Sequence, residues 1–273
     1  MPIERRDFLR LAGAAGATVA ATVAATAAGA GLAGCTTSAS QPGEPQSHTA
    51  SPTTATASPH DSDTSTASAQ PARKLGPQVV HGPRNRPQVA LTFHGQGPTS
   101  IAEALLSEAE HAGAHVSVLA VGTWLEQYPQ IAKRILRGGH DLGNHTMHHL
   151  DIAAMDAAGA SAEITGCAQQ LRTLTGSEGR WFRPSQTQYA TPLIEREARK
   201  AGYRTCVSYD VDSLDYTDPG PDAVVATVLA KTEPGSIVSL HFGHEGTVTA
   251  LPGILRGLAR RNLRPVTLTR LLS

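Results

Sequence analysis

The densest group of possible metal ligands in the sequence is the segment Asn144-His145-Thr146-Met147-His148-His149. It follows Gly143 at the end of a short strand-like run, Asp141-Leu142. His145 and His149 are four residues apart, so a helical turn would place both imidazoles on one side, where they can bind one divalent ion. The spacing alone also fits ordinary surface or hydrogen-bonded histidines. The neighbouring sequence must therefore distinguish a metal-binding pair from such ordinary histidines.

Other polar residues also follow short apolar runs, which is where strands of α/β proteins lead into their functional loops. They are His94, Arg183, Asp212, Asp215 and His241. A divalent metal polarises a carbonyl group and lowers the pKa of its bound water, and a histidine with a carboxylate partner can then protonate the departing amine. These residue types therefore suit metal-assisted hydrolysis of an amide.

The sequence around the histidine pair, from Gly138 to Asp151, resembles the second motif of the NodB-homology polysaccharide deacetylases. Other segments resemble the remaining motifs in the order of that family, and the stretch from Thr247 to Leu272 resembles its last helix and strand. The motif segments are Val89–Phe93 with Gly97-Pro98, Phe182-Arg183-Pro184, Asp212–Tyr216 and Pro234–His241. The resemblance covers nearly all of residues 86–272, and the ordered set is far more specific than any one motif.

This resemblance implies an α/β fold, a distorted (β/α) barrel of the NodB-homology type. It also implies a metal-dependent hydrolase of carbon–nitrogen (non-peptide) bonds that removes N- or O-acetyl groups from a cell-envelope polysaccharide. By the same resemblance His145 and His149 are ligands of a divalent metal, with zinc as the expected ion, although imidazoles accept several first-row metals. Arg183 orients the catalytic base, and His241 is the general acid, tuned by Asp215. The residues expected to contact the substrate are Tyr216, Pro184 and Leu240.

The first motif departs from the family pattern at its functional positions. The family has two adjacent aspartates after Thr-Phe, one as the base and one as a metal ligand, whereas this chain has Thr92-Phe93-His94-Gly95-Gln96-Gly97-Pro98. The segment is one residue longer, so either His94 and Gly95 or Gly95 and Gln96 take the places of the two carboxylates. In the third motif, Ser185-Gln186-Thr187 replaces an aromatic residue and a glycine that help to hold the oxyanion in the family.

Two hypotheses for function follow from this mixture of match and departure. In the first, the domain is a hydrolase in which His94 completes a three-histidine metal site, a workable arrangement for catalytic zinc, or acts as the base. In the second, the domain is a catalytically inactive polysaccharide-binding pseudoenzyme on the cell surface. The retained His241 and Asp215 favour the first hypothesis, and the loss of both aspartates favours the second.

Strand-like and helix-like patterns alternate from Val89 onward. Four runs rich in β-branched or large apolar residues predict strands: Val89 to Phe93, Val116 to Val121, Arg204 to Tyr209 and Ile237 to Leu240. Helical periodicity extends from Trp124 to Leu136 and from Leu251 to Leu258. Alternation of this kind predicts parallel strands joined by helical crossovers, in an open doubly wound sheet or a closed barrel. The barrel is the choice that the family resemblance favours.

The N-terminus has the pattern of an export signal. Arg5-Arg6 is a twin-arginine pair, and an uncharged Ala- and Gly-rich stretch from Leu11 to Gly34 follows it. Leu32-Ala33-Gly34-Cys35 resembles a bacterial lipobox, so residues 1–35 are interpreted as a signal peptide with Cys35 as the lipidated residue. A plain cleaved signal and a retained membrane anchor are the alternatives. The lipoprotein interpretation predicts an exported protein anchored at the outer face of the cytoplasmic membrane.

Composition divides the remainder into a linker and one globular domain. Residues 36–75, rich in Ser, Thr, Ala and Pro, contain almost no large apolar residue and predict a disordered tether, and residues 76–273 form the predicted catalytic domain. Cys167 and Cys206 occur in apolar surroundings, which favours buried free thiols over a disulfide. The formal net charge is +0, which argues against nucleic acid as a partner and leaves an envelope polysaccharide, peptidoglycan or another acetylated glycan, bound by a monomer.

Overall fold

The computed structural model describes residues 75–273. The predicted signal peptide, Cys35 and the predicted linker up to residue 74 lie outside this range. The strands are β1 Gln78–Val79, β2 Gln88–Gly95, β3 Ser117–Ala120, β4 Asp141–Asn144, β5 Cys206–Val207, β6 Val211–Asp212, β7 Ile237–His241 and β8 Arg264–Pro265. The helices are α1 Thr99–His111, α2 Gly122–Gln127, α3 Pro129–Arg137, α4 Ala157–Thr175, α5 Pro192–Lys200, α6 Pro221–Lys231, α7 Glu245–Arg260 and α8 Leu268–Leu271, with 3-10 turns at Ile152–Ala154 and Asp215–Thr217.

The strands form a distorted barrel of parallel pairings. The larger sheet has the order β4-β3-β2-β7-β6, with β8 paired to β2, and β1 pairs with β5. Phe182 forms parallel bridges to Asn144 at the end of β4 and to Cys206 in β5. β5 leads within a few residues into β6, which pairs with β7, and His81 after β1 bridges Ser236 before β7, so a chain connection and an isolated bridge close the ring where no ladder does. The predicted α/β barrel is therefore confirmed, with the open sheet excluded.

The barrel interior changes from apolar at one end to polar at the other. Side chains alternate along β2, so that Leu91 and Phe93 pack in the cluster that contains the helices, whereas Ala90 belongs to a second, interior cluster with Val207 and Ile237. Leu268, Leu271 and Leu272, in and directly after α8, join that interior cluster. The interior positions of β2 and β7 at the carboxyl end of the strands are instead taken by His94 and His241. Apolar side chains therefore fill one end of the barrel, and the polar side chains of a possible active site lie at the other end.

Several local predictions can be compared with this fold. The predicted strands at Val89 to Phe93 and Ile237 to Leu240 lie within β2 and β7, and Cys167 and Cys206 are buried free thiols, as expected. The helical periodicity from Trp124 to Leu136 corresponds to two helices, because Pro129 begins a new helix after Tyr128. Within residues 75–273, no helix is long and apolar enough to cross a bilayer.

Candidate active site

Histidines from three strand ends meet at the polar end of the barrel. His94 in β2 and His241 in β7 are register partners on neighbouring parallel strands, and His145 follows β4. The centroid of the His94 ring lies 4.4 Å from that of His145 and 4.3 Å from that of His241. The parallel sheet therefore joins side chains that are far apart along the chain.

The loop after β4 places the predicted histidine pair without a helical turn. Thr146 and His149 have left-handed backbone angles, with φ values of 69° and 57°. The Asn144 side chain accepts from the Thr146 N–H at 2.8 Å, and the Thr146 hydroxyl accepts from the His149 N–H at 3.2 Å. The helical turn that the spacing would allow does not form, because these side chains hold the loop in a different conformation. The His145 and His149 rings still come within 4.9 Å, centroid to centroid.

His145 has the geometry expected of a metal ligand. Its Nδ1 lies 3.0 Å from the carbonyl oxygen of Arg183, which can only accept a hydrogen bond, so Nδ1 carries the proton. The other ring nitrogen, Nε2, is buried and has no hydrogen-bond partner among residues 75–273. An unpaired buried nitrogen is costly unless something binds it. Nitrogens of His94, His145 and His149 lie within 4.8 Å of one another, so this part of the chain can hold a divalent ion.

His94 makes a hydrogen bond that restricts what else it can do. Its Nε2 lies 3.2 Å from Nη1 of Arg183 and 3.0 Å from Oγ of Ser239. A guanidinium group has donors only, so Nε2 of His94 must accept and the proton of the neutral ring must lie on Nδ1. This tautomer is assigned from the hydrogen-bond network. A neutral imidazole has one lone pair, and in this arrangement Arg183 and Ser239 occupy it.

Arg183 is a completely buried cation held by neutral groups. Its Nε donates to the Val207 carbonyl and its Nη2 to the Ser208 carbonyl, each at 3.2 Å. The Tyr209 ring lies 5.3 Å from the guanidinium carbon. Burial lowers the pKa of Arg183 to about 10, so it remains charged at neutral pH. Where the family pattern has an aspartate, this arginine therefore faces the imidazole of His94.

His241 and Asp215 form a histidine–carboxylate pair. His241 Nδ1 lies 2.7 Å from one carboxylate oxygen of Asp215, and the His241 backbone N–H donates to the other oxygen at 2.8 Å. Ser213 and Thr247 hydroxyls complete the environment of the carboxylate at 2.9 Å and 2.7 Å. Burial raises the pKa of Asp215, but these hydrogen bonds outweigh it and the net pKa is lowered. An ionised Asp215 keeps the proton on Nδ1 and leaves Nε2 of His241 for proton transfer.

Comparisons with known proteins agree with this architecture. Residues 81–206 match the family model for polysaccharide deacetylases. A peptidoglycan-N-acetylglucosamine deacetylase of Bacillus cereus is 30% identical over 195 residues, which cover 70% of this chain and 90% of that protein. The chain belongs to the polysaccharide deacetylase family.

Two further similarities, one to a protein sequence and one to a solved structure, extend this comparison. A chitooligosaccharide deacetylase of Sinorhizobium fredii is 31% identical over 159 residues, which cover 58% of this chain and 73% of that protein. A family 4 carbohydrate esterase from Bacillus anthracis, described as a pseudoenzyme, superposes with a TM-score of 0.69 at 22% identity, over 73% of this chain and 70% of that chain. The second likeness supports the fold alone.

In this deacetylase-family member, a cavity of about 350 Å³ opens above the histidines. Of the three predicted substrate contacts, only Tyr216 lines it; its side chain is exposed and its ring centroid lies 5.3 Å from that of His241. Pro184 is buried outside the cavity lining. Leu240 is fully buried in the helix-side core, because side chains alternate along β7 and His241 takes the inward position. The prediction that Leu240 contacts substrate was wrong for this reason.

The cavity also contains residues that the sequence analysis assigned no role. Gln186 lies on its wall with a left-handed φ of 55°, and its side-chain amide donates to the His149 carbonyl at 2.7 Å. Gln188 and Tyr209 also line the cavity, and the Gln188 side-chain amide donates to the Tyr209 carbonyl at 3.1 Å. Tyr209 ends a predicted strand, and its position at a strand end could have indicated that it belongs to the site. Gln186 lies in the third-motif segment that departs from the family pattern, whereas no sequence pattern marks Gln188.

The metal-free protein should lose stability in mild acid. Burial, followed by the neighbouring positive charges, lowers the pKa of His94 and His145 well below 6.5, and burial lowers that of His149. Unfolding restores ordinary pKa values, so below about pH 6.5 the unfolded chain binds more protons than the folded one. Stability is then complete above this pH and is lost as the pH falls toward the folded pKa values.

Thermal unfolding of the chelator-treated protein between pH 8 and pH 5 measures this loss. We expect the unfolding temperature to fall with a slope that is smaller in His145→Gln and unchanged in His111→Gln, which alters an exposed histidine at the end of α1. A flat profile from pH 7 to pH 5 would contradict the argument.

Proposed function

We propose that this domain is a metal-dependent deacetylase that removes N- or O-acetyl groups from a cell-envelope polysaccharide. The observation that carries the proposal is the unpaired, buried Nε2 of His145 beside His149 and His94, within reach of the His241–Asp215 pair. The relatives named as peptidoglycan and chitooligosaccharide deacetylases support an acetylated amino-sugar polymer as the substrate.

His145 and His149 would hold the metal, with His94 nearest to the third position. A bound divalent ion supplies a Lewis acid and a water of lowered pKa. His241 donates a proton from Nε2 to the departing amine, while Asp215 keeps the ring oriented and stabilises its charged form. Tyr216, exposed beside His241, offers an apolar surface for a sugar ring. Imidazole ligands accept several first-row metals, and zinc is the ion that we propose.

The alternative function is a catalytically inactive polysaccharide-binding protein. The observation that favours it is the 3.2 Å contact between Arg183 and His94, which engages the only lone pair of that ring. A carboxylate in the same position has lone pairs to spare for both a cation and a water molecule. The Bacillus anthracis pseudoenzyme has a mutant described as having restored enzymatic activity, so loss of activity on this fold has a counterpart in that protein.

Release of acetate distinguishes the two functions. The purified zinc-loaded protein is incubated with N-acetylglucosamine oligomers and with isolated peptidoglycan, and acetate is quantified against the His241→Ala variant. Release by the parent alone supports the deacetylase. A zinc-loaded, folded protein that binds these glycans without releasing acetate supports the alternative.

Zinc titration of the metal-free protein tests the ligands separately from catalysis. We expect one site, and we expect His145→Ala or His149→Ala to weaken it at least about tenfold, because each removes one of very few ligands. His148→Ala is the matched control, since this ring lies in the same loop but is bonded to Glu163 at 2.6 Å. Equal affinity in all four proteins would rule out the proposed site.

We further propose that the chain is exported through the twin-arginine route and anchored by lipid on Cys35. The support is the order of Arg5-Arg6, the apolar stretch and Leu32-Ala33-Gly34-Cys35. Labelling with a radioactive fatty acid is expected for the parent and not for Cys35→Ala, and the variant is expected to leave the membrane fraction. Cys206→Ala, which removes a buried thiol of the barrel, serves as the control. Unlabelled parent protein, or a membrane-bound and unprocessed Cys35→Ala variant, would contradict the lipid anchor.

A further inference from the structure

The charged residues of the barrel are divided between its two ends. Helices α3 to α7 each carry a lysine or an arginine in their last turn, and in a parallel α/β barrel these turns surround the end where the strands begin. Acidic residues instead occupy the first turns of α5, α6 and α7, at the end that carries the candidate active site: Glu195, Asp222 and Glu245. The end opposite the histidines is therefore rich in cations, although the whole chain has a formal net charge of +0.

Many of the cations at this end have no acidic partner. Acids there are paired with cations of their own, as Glu110 is with Arg134 at 2.6 Å and Asp210 with Arg84 at 2.8 Å. A surplus of exposed cations forms neither a salt bridge nor a side-chain hydrogen bond among residues 75–273, and we call the surface that these cations form the basic face. Its members include Arg137, Arg199, Arg204, Lys231, Arg260 and Arg264.

Stabilisation of the helices accounts for only part of the basic face. A cation in the last turn of a helix interacts favourably with the helix dipole, and this explains residues such as Arg137 and Arg260. Arg204 lies in the connection before β5 and Arg264 begins β8, where no helix dipole is present. Exposed charges of this kind contribute little to folding. Their position on one face therefore points to a partner outside the barrel.

The members of the basic face come from separate elements that meet at one end of the barrel. The Arg261 guanidinium donates to two carbonyl oxygens at the end of α6, each at 2.6 Å, so the ends of α6 and α7 lie side by side with Lys231 and Arg260. Arg264 opens β8, which pairs with the start of β2. The cations thus surround the barrel axis instead of following a line. A flat anionic surface can contact such a set all at once.

The chain also enters the barrel at the basic face. The Thr205 hydroxyl donates to the Gly76 carbonyl at 2.9 Å, so the first residues of the barrel lie next to Arg204. The residues before Gly76 lead back to Cys35, the proposed site of the lipid. A membrane-bound Cys35 would therefore tether the barrel by the end that carries the unpaired cations.

We propose that the basic face docks on a bilayer that contains anionic phospholipid, which turns the histidine site away from the membrane. Anionic headgroups supply the negative charge that the exposed cations lack. Leu136, directly before Arg137, is 44% exposed and gives the same end an apolar side chain for the headgroup region. The acids at the opposite end are repelled by the same surface, so only one orientation is favourable. The inference depends neither on the proposed catalysis nor on a lipid at Cys35.

Binding to vesicles provides the test. The processed chain, residues 35–273, retains the whole barrel, and Cys35→Ala keeps it free of lipid. It is sedimented with vesicles of phosphatidylcholine alone or of phosphatidylcholine with phosphatidylglycerol. We expect binding to the anionic vesicles only, weakened by added salt because salt screens exposed charges. The triple variant Arg204→Gln/Arg260→Gln/Arg264→Gln should bind at least about tenfold more weakly, since each cation near an anionic surface contributes about fivefold.

A matched variant separates the position of the charge from its amount. Ser100→Glu/Ala158→Glu/Ala223→Glu changes the net charge equally, at exposed positions in the first turns of α1, α4 and α6. It should bind like the parent, because charges more than about 10 Å from the bilayer are largely screened at 0.1 M salt. Parental unfolding temperatures show that both variants are folded.

Three results would overturn the proposal. The first is equal binding of the parent to neutral and anionic vesicles, and the second is an equal loss of affinity in the two triple variants. The third is tighter binding of the parent to soluble polyphosphate than to vesicles of equal charge, which would assign the basic face to an anionic polymer.

Discussion

Replacing His94 by aspartate is expected to raise zinc affinity and acetate release together. A carboxylate can accept from the buried Arg183 and still present lone pairs to the space beside His145 and His149, which the neutral imidazole cannot do. It also supplies the buried guanidinium with a negative partner. We expect zinc affinity to rise at least about tenfold. We expect the rate of acetate release to rise by roughly 100-fold to 10,000-fold, the usual contribution of a general base.

Two further substitutions at the same position show how the effect arises. His94→Asn keeps an acceptor for Arg183 without the charge, so it should show neither gain. His94→Ala separates the possible roles of the native histidine, because loss of zinc and turnover together identifies a ligand, whereas loss of turnover alone identifies a base. A folded His94→Asp variant with the parent's zinc affinity and the parent's rate would contradict the argument that this position limits the site.

Replacing Asp215 by asparagine is expected to abolish most of the activity while leaving zinc binding intact. The carboxylate accepts from the His241 N–H and ring and from two hydroxyls, so its neutral isostere loses the negative charge that stabilises a protonated His241. The rate of acetate release should fall by roughly 100-fold to 10,000-fold, in the parent and in the His94→Asp background. Zinc titration should give the parent affinity within about twofold, since Asp215 is not among the clustered ligand atoms.

The chain offers a matched control for this substitution. Asp218 pairs with His244 at 2.8 Å, three residues after the Asp215–His241 pair on both segments, but its side chain is exposed. Asp218→Asn should therefore change the rate little. Equal losses in both variants would indicate a general disturbance of the loop, and full activity in Asp215→Asn would remove His241 from the role of general acid.

The sequence by itself predicts the fold class and several of the residues that form the candidate active site. Strand-like runs that alternate with helical patterns predict parallel strands, and the family resemblance favours a barrel over an open sheet. In either fold, parallel strands present their carboxyl ends at one edge. That rule brings His94, His145 and His241 together without knowledge of any contact. The burial of Cys167 and Cys206 follows in the same way from their apolar surroundings.

Only the tertiary structure determines which ring nitrogens of these histidines can accept a hydrogen bond or bind a metal. The bond between Arg183 and His94 joins residues 89 positions apart, and it fixes the proton on a ring whose residue type permits either tautomer. The loop from His145 to His149 avoids the helix that its spacing allows, because Asn144 and Thr146 side chains take the backbone donors. The hydrogen bond from the Trp124 indole in α2 to the Gly97 carbonyl after β2 likewise joins two separate elements, and the sequence does not mark it. Periodicity in the sequence indicates which face of a helix or strand is buried. The protonation of the His94 ring and the shape of the loop depend instead on hydrogen bonds that form only when the chain is folded.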